Sequence, residues 1–173
     1  NIKILLDSAV ADGTLTPKRR DSLLARMTDE VASLVLLDNY LQSQAISVVE
    51  AQGLEVVDDQ VRMMRMLERA GRINREVEFL PDDEALIKRQ AAKKGFTRPE
   101  IAVLMPHLKI WLYDELMKSD LPDDARLFDD LVRYFPTPLQ KTYRAAIGAH
   151  RLRREIIATT VTICTTEPCS ISF

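Results

Sequence analysis

Apolar residues recur along this chain at steps of three and four, the period of a helix buried along one face. Ile2, Leu5, Leu6, Ala9 and Val10 form the first such face, stopped by Gly13. Thr16-Pro17 reads as an N-cap followed by proline at the first helical position, where no backbone donor is needed, and the helix it opens runs to about Met27. Thr28 is the next cap, with Asp29 and Glu30 at the positive end of the helix it opens. In that helix Leu34, Leu37, Leu41, Ala45 and Val48 form a stripe that Val35, Leu36 and Ile46 widen, which predicts a central helix buried on much of its surface. Gln52-Gly53 either breaks this helix or merely weakens it, since one interior glycine costs only about 1 kcal/mol. Beyond it, Leu54, Val57, Val61, Met64 and Leu67 carry the period on to Gly71.

The second half continues in the same manner. Ile73 to Leu80 reads as a short helix, and Pro81-Asp82-Asp83-Glu84 opens another that Gly95 terminates. Thr97-Arg98-Pro99-Glu100 has the form of a capping box, in which Thr97 and Glu100 satisfy each other's backbone donors. The helix after it carries Ile101, Leu104, Leu108, Trp111, Leu112 and Leu116, with a kink predicted at Pro106 from its missing N–H and crowded ring. Leu121-Pro122-Asp123-Asp124 begins a helix through Leu127, Phe128, Leu131 and Phe135. A second capping box, Thr137-Pro138-Leu139-Gln140, opens a last helix reaching at least Thr160. Thr159 to Thr166, rich in Thr, Val and Ile, reads either as a strand or as a frayed tail; no other alternating stretch of useful length occurs. The expectation is an all-α, irregular multi-helix bundle of about seven to eight helices, with neither a solenoid repeat nor a low-complexity linker.

Composition agrees. The chain is 46% hydrophobic and 29% charged, outside the range of disordered or membrane chains, and its five glycines are few for a fold of many tight turns. A net charge of -2 offers no electrostatic case for nucleic acid or a membrane surface, and no apolar run reaches the roughly 18 to 20 residues of a membrane span. Asn1-Ile2-Lys3-Ile4-Leu5-Leu6-Asp7 begins in mid-pattern, without an initiator Met or a signal-peptide layout, as expected of a piece of a longer chain. Cys164 and Cys169 both lie in the last ten residues, where they cannot staple the domain, so a reducing, cytoplasmic compartment is the natural reading.

The search for chemistry returns little. No glycine-rich turn between a strand and a helix is present to hold a pyrophosphate, so no NAD site is expected in this segment. His107 and His150 stand far apart, and the cysteine pair has no second ligand pair for zinc, so neither a metal nor a catalytic residue is assigned. Asp58-Asp59, Asp82-Asp83, Asp123-Asp124 and Asp129-Asp130 fall mostly at predicted helix starts, where carboxylates favour the helix dipole. Lys18-Arg19-Arg20 reads as a solvated face. The basic run from His150 to Glu155 is more informative. Leu139, Tyr143, Ala146, His150, Arg154, Ile157 and Val161 share one helical stripe, which sets His150 and Arg154 in line with apolar residues. Three readings stand: a half-buried arginine paired with an acid, a contact of His150, Arg151 and Arg154 with another domain or subunit, or a ligand-binding arginine.

The ordered pieces Asn1 to Leu6, Leu37-Asp38-Asn39-Tyr40-Leu41-Gln42, Leu67-Glu68-Arg69-Ala70-Gly71, Thr97-Arg98-Pro99-Glu100, Leu112-Tyr113-Asp114-Glu115-Leu116, Tyr134-Phe135-Pro136 and His150 to Thr159 carry a resemblance. The chain resembles the large, bacterial-type NAD-specific glutamate dehydrogenases, in the helical region after their catalytic domain, over nearly its whole length to about Thr162. The resemblance implies a parent enzyme that converts L-glutamate and NAD to 2-oxoglutarate, ammonia and NADH. It places the catalytic lysine, the catalytic aspartate and the nucleotide-binding glycines upstream of Asn1, so no catalytic or cofactor-binding residue is carried onto this chain. Residues 1–162 are then a helical domain and residues 163–173 a divergent tail, where the family continues with an Asn-rich helical stretch. Pro106 departs as well. The expected role is a helical scaffold that packs on the catalytic domain of the same chain, or on other subunits of a homo-oligomer. The rival is a free-standing helical interaction module.

Overall fold

The computed structural model describes residues 1–166, and every regular element among them is helical. Two compact units share the chain: Asn1–Asn39 with Leu116–Val161, and Tyr40–Glu115 with the segment from Thr162.

The first unit is built from α1 (Ile2–Ala11), α2 (Pro17–Arg26), the first part of α3 (Thr28–Gln52), the end of α6 (Arg98–Lys118), α7 (Phe128–Arg133), α8 (Thr137–Gln140), α9 (Arg144–Gly148) and most of α10 (Arg153–Thr166). Leu5, Leu6 and Ala9 of α1 are buried, and Gly13 ends the helix in a left-handed conformation at φ +72°. Thr16 Oγ1 accepts from Arg19 N at 3.3 Å and proline follows at the first helical position, as the sequence predicts. Thr28 departs from expectation: it lies inside α3, and its hydroxyl donates back to Leu24 O. The core gathers Leu6, Met27, Leu131, Phe135, Leu139, Ile147, Ile156 and Ile157, all essentially inaccessible.

The predicted last helix is in fact three. Turns at residues 141–143 and 149–152 separate α8, α9 and α10. The Thr137 capping box does not form as drawn, because Thr137 N and Oγ1 both donate to Glu30 Oε1 at 2.7 Å, while Gln140 Nε2 donates to Phe135 O. The break shifts the phase by one residue, so Ile147 is buried and Ala146 exposed. The Thr-rich end is helix, neither strand nor frayed tail: Thr159, Thr160 and Thr166 hydroxyls donate to the carbonyls of Glu155, Ile156 and Thr162. That back-bonding gives the threonine hydroxyls a partner within the helix.

The second unit packs α4 (Val57–Arg69), α5 (Asp83–Ala91), the latter part of α3 and most of α6 around Met64, Leu67, Phe96, Ile101 and Leu104. Gly53 does break the helix: at φ +53° it opens a 3-10 turn, Gly53–Val56, between α3 and α4. Asp82 caps α5, accepting from Ala85 N at 2.7 Å. Gly95 is not its terminator. The helix ends at Ala91 with Lys93 left-handed, and Gly95 instead allows close approach, since a Cβ there would lie 3.2 Å from Gly53 O. Ile73 to Leu80 is a series of turns rather than a helix, because Asn74 Oδ1 takes the N–H groups of Glu76 and Val77, an Asx-type competitor of the helical ladder. The α6 helix continues past Pro106, which is exposed and has no N–H to give the ladder. The residues from 167 on, including Cys169 and most of the predicted divergent tail, lie outside the described residues; Cys164 is exposed on α10.

Candidate interdomain surface

Of the three residues singled out for interdomain contact, two are held within the first unit. Arg154 pairs through Nη1 with Asp123 Oδ2, and its Nη2 donates to Met117 O at 3.2 Å and Ser119 O at 3.1 Å. It thereby satisfies carbonyls at the C-terminal end of α6, the end where a cation is favoured. His150 is buried, with Nε2 3.3 Å from Asn1 O and Nδ1 accepting from Leu152 N at 3.1 Å. Burial pushes its pKa below the ordinary 6.5, with Arg151 lowering it further and the Asn1 carbonyl and Glu155 opposing. A neutral imidazole with Nε2–H donating fits both contacts. Arg151 is exposed on the adjoining turn. The paired-arginine reading therefore describes Arg154 best.

The pairing sets an expectation for Arg154→Ala. The side chains of Arg154 and Asp123 are 36% and 48% exposed, so solvent weakens the ion pair. The cost should fall to about 1–2 kcal/mol, mostly from the two carbonyls left with water alone, rather than the larger loss expected of a buried pair. A urea midpoint unchanged from the parent chain would show the guanidinium contributes nothing.

Three of the four acidic pairs lie at helix starts. Asp58 and Asp59 lie in the first turn of α4, Asp82 and Asp83 at the start of α5, and Asp129 and Asp130 in the first turn of α7. Asp124 is pushed down to about 2 by hydrogen bonds from the Arg126 side chain and backbone N–H. Among the described residues no group of His, Cys, Asp and Glu has the geometry of a metal site. His107 faces Glu78 at 3.5 Å. No described helix is long and apolar enough to cross a membrane.

What sequence reasoning missed is the surface of α3. The predicted central, buried helix is exposed over most of its length, and Ala45 is its one fully buried residue. Val31 packs on the first core and Glu30 is fixed to Thr137, so the helix is anchored at its start. Just beyond, Leu34, Val35, Leu36 and Leu37 are 43%, 54%, 69% and 41% exposed. Four consecutive helical residues point in directions about 100° apart and so ring the helix. The signal was present in the unbroken Leu-Val-Leu-Leu run, which a helix with one solvent face does not carry.

The second unit adds an apolar groove of about 470 Å³ bordered by Val56, Met63, Leu104, Leu108, Trp111 and Leu112. In the same unit Glu100 is held by three donors. Its oxygens accept from Arg89 Nη1 and Nη2 and from Thr97 N, each at 2.7 Å. This is the Glu100 half of the predicted capping box.

Two family models match the chain. Residues 1–49 match the catalytic domain of bacterial NAD-glutamate dehydrogenase, and residues 93–165 match the C-terminal region of glutamate dehydrogenase. The NAD-specific glutamate dehydrogenase of Halomonas elongata is 47% identical over 161 residues, 93% of this chain and 10% of that protein. Its counterpart from Pseudomonas aeruginosa is 44% identical over the same shares. That of Mycobacterium tuberculosis is 40% identical over 159 residues, 92% of this chain and 10% of that protein. The chain thus spans about a tenth of the length of these curated relatives.

Proposed function

Because the chain belongs to the bacterial-type NAD-specific glutamate dehydrogenase family, we propose that it is a helical scaffold segment of such an enzyme, joining the catalytic domain to the C-terminal region. The parent converts L-glutamate and NAD to 2-oxoglutarate, ammonia and NADH in the cytoplasm, as a homo-oligomer; this segment supplies neither catalytic residues nor the nucleotide site. One observation carries the reading: a single short chain matches the catalytic-domain model up to residue 49 and the C-terminal model from residue 93. The α3 helix starts inside the first match and runs three residues past it, to Gln52. Its latter part packs, through Ile46 and Val49, on the core that holds Ile101 and Leu104 of the C-terminal match; in this way it orients the C-terminal region on the catalytic domain, and with it governs domain closure or subunit assembly.

The reading makes a thermodynamic statement about NAD. Without a glycine-rich turn at a helix start, the backbone donors that hold a pyrophosphate are missing. Calorimetric titration of NAD into this chain should give no saturable heat, whereas the full-length enzyme binds it. Micromolar binding by the chain alone would overturn the assignment of a scaffold without a cofactor site.

A further inference from the structure

We propose that the Leu34–Leu37 ring of α3 is the docking surface for the remainder of the catalytic domain, an inference that rests on the scaffold reading above. The chemistry of α3 is that of an interior helix. From Val31 to Val49 its one charged residue is Asp38, and the rest are apolar, Ser, Gln or Asn. Water-facing helices carry a charged face; helices apolar all round are enclosed by protein. Yet Leu34, Val35, Leu36 and Leu37 are all exposed, and contiguous apolar surface of this kind marks an interface.

Its geometry specifies the occupant. The four side chains ring the helix, so a single docked helix covers only part of them. A body that wraps more than one side is required. That body is identified by the match: the stretch from Thr28 to Val49 falls within the catalytic-domain model, and about nine-tenths of the relatives' length lies outside this chain. A domain whose interior helix is retained while its neighbours are absent exposes just such a surface. The anchored start of the helix, through Val31 and the Glu30–Thr137 bonds, keeps the ring in place to receive it.

The test uses the Leu36→Cys variant, placed both in this chain and in the full-length enzyme, and tracks maleimide labelling of that position by peptide mass. The same proteins unfolded in urea set the unprotected rate. In this chain labelling should approach that rate, and in the full-length enzyme it should be slower by about 100-fold. Equal labelling in both would overturn the proposal. Protection in this chain alone that grows with its concentration would assign the ring to a second copy, and overturn it too. The identity of the occupant is read from photo-crosslinking of full-length enzyme with Leu36→p-benzoylphenylalanine, prepared as a mixture of isotopically light and heavy chains. Crosslinks should join light to light and heavy to heavy, onto catalytic-domain peptides outside this segment. Mixed crosslinks, or crosslinks to other regions, contradict the proposal. The scaffold reading is judged separately, by whether loss of the segment removes activity.

Discussion

Replacing Phe135 by alanine should destabilise the first unit by about 4 kcal/mol, the largest effect expected from any single truncation here. Phe135 is inaccessible to solvent, lies two residues past the end of α7 and sits within the core formed by α1, α7 and α10. Its ring stands edge-on to Tyr134 at 5.4 Å and tilted against His150 at 5.7 Å. Truncation removes the apolar burial, both ring contacts and the wall that keeps His150 dry, and helices fixed by many other contacts collapse only partly into the space. A loss of this size is a large share of the stability of a small helical domain. Urea unfolding monitored by far-UV circular dichroism checks it, and a midpoint within error of the parent chain would mean the ring is not a core element.

The second large effect concerns Glu100. Glu100→Gln should cost about 3 kcal/mol at neutral pH, because it strips the counter-charge from Arg89 while both groups stay mostly buried. The side chains are 10% and 29% exposed, so solvent screens this pair far less than Arg154–Asp123. The pH dependence has a definite sign. Burial alone would raise the Glu100 pKa, but the Arg89 guanidinium, the Thr97 N–H and the Thr97 hydroxyl outweigh it and hold the carboxyl below its ordinary 4.5. A depressed folded pKa means the unfolded chain takes up the proton first. The stabilisation is therefore complete above pH 4.5 and is lost as pH falls through the depressed folded value. The gap between parent and variant, read from the fluorescence of the single Trp111 in the same unit, should be constant near neutrality and close in acid. A gap that stays open at low pH would show that the carboxylate charge is not the source.

Much of the local structure could be read from the chain. The cap at Thr16, the helix start at Pro81 to Glu84 and the stops at Gly13 and Gly71 depend on a few neighbouring residues, and they stand where the sequence puts them. The same is true of Met64, Leu67 and Leu104, whose helices keep an uninterrupted period. Errors arose where a distant group outcompeted a local one. Glu30 takes both donors of Thr137 across more than a hundred residues, and the predicted final helix then breaks and changes phase. Asn74 diverts two N–H groups into a turn, and Gly95 serves a backbone contact with Gly53 that no linear pattern reveals. Arg154 does pair with an acid, Asp123, but the stripe that singled it out does not exist as one helix. The α3 ring is a different case. Its apolar run predicts burial, yet in this structure Leu34 to Leu37 are exposed.

The most direct measurement of the scaffold claim is glutamate-dependent NADH formation by the parent enzyme expressed without this segment, with the present chain titrated in. The truncated enzyme should be inactive by itself, and activity should rise and saturate as the chain is added. Full activity without the segment, or NADH formation by the chain alone, would contradict the account.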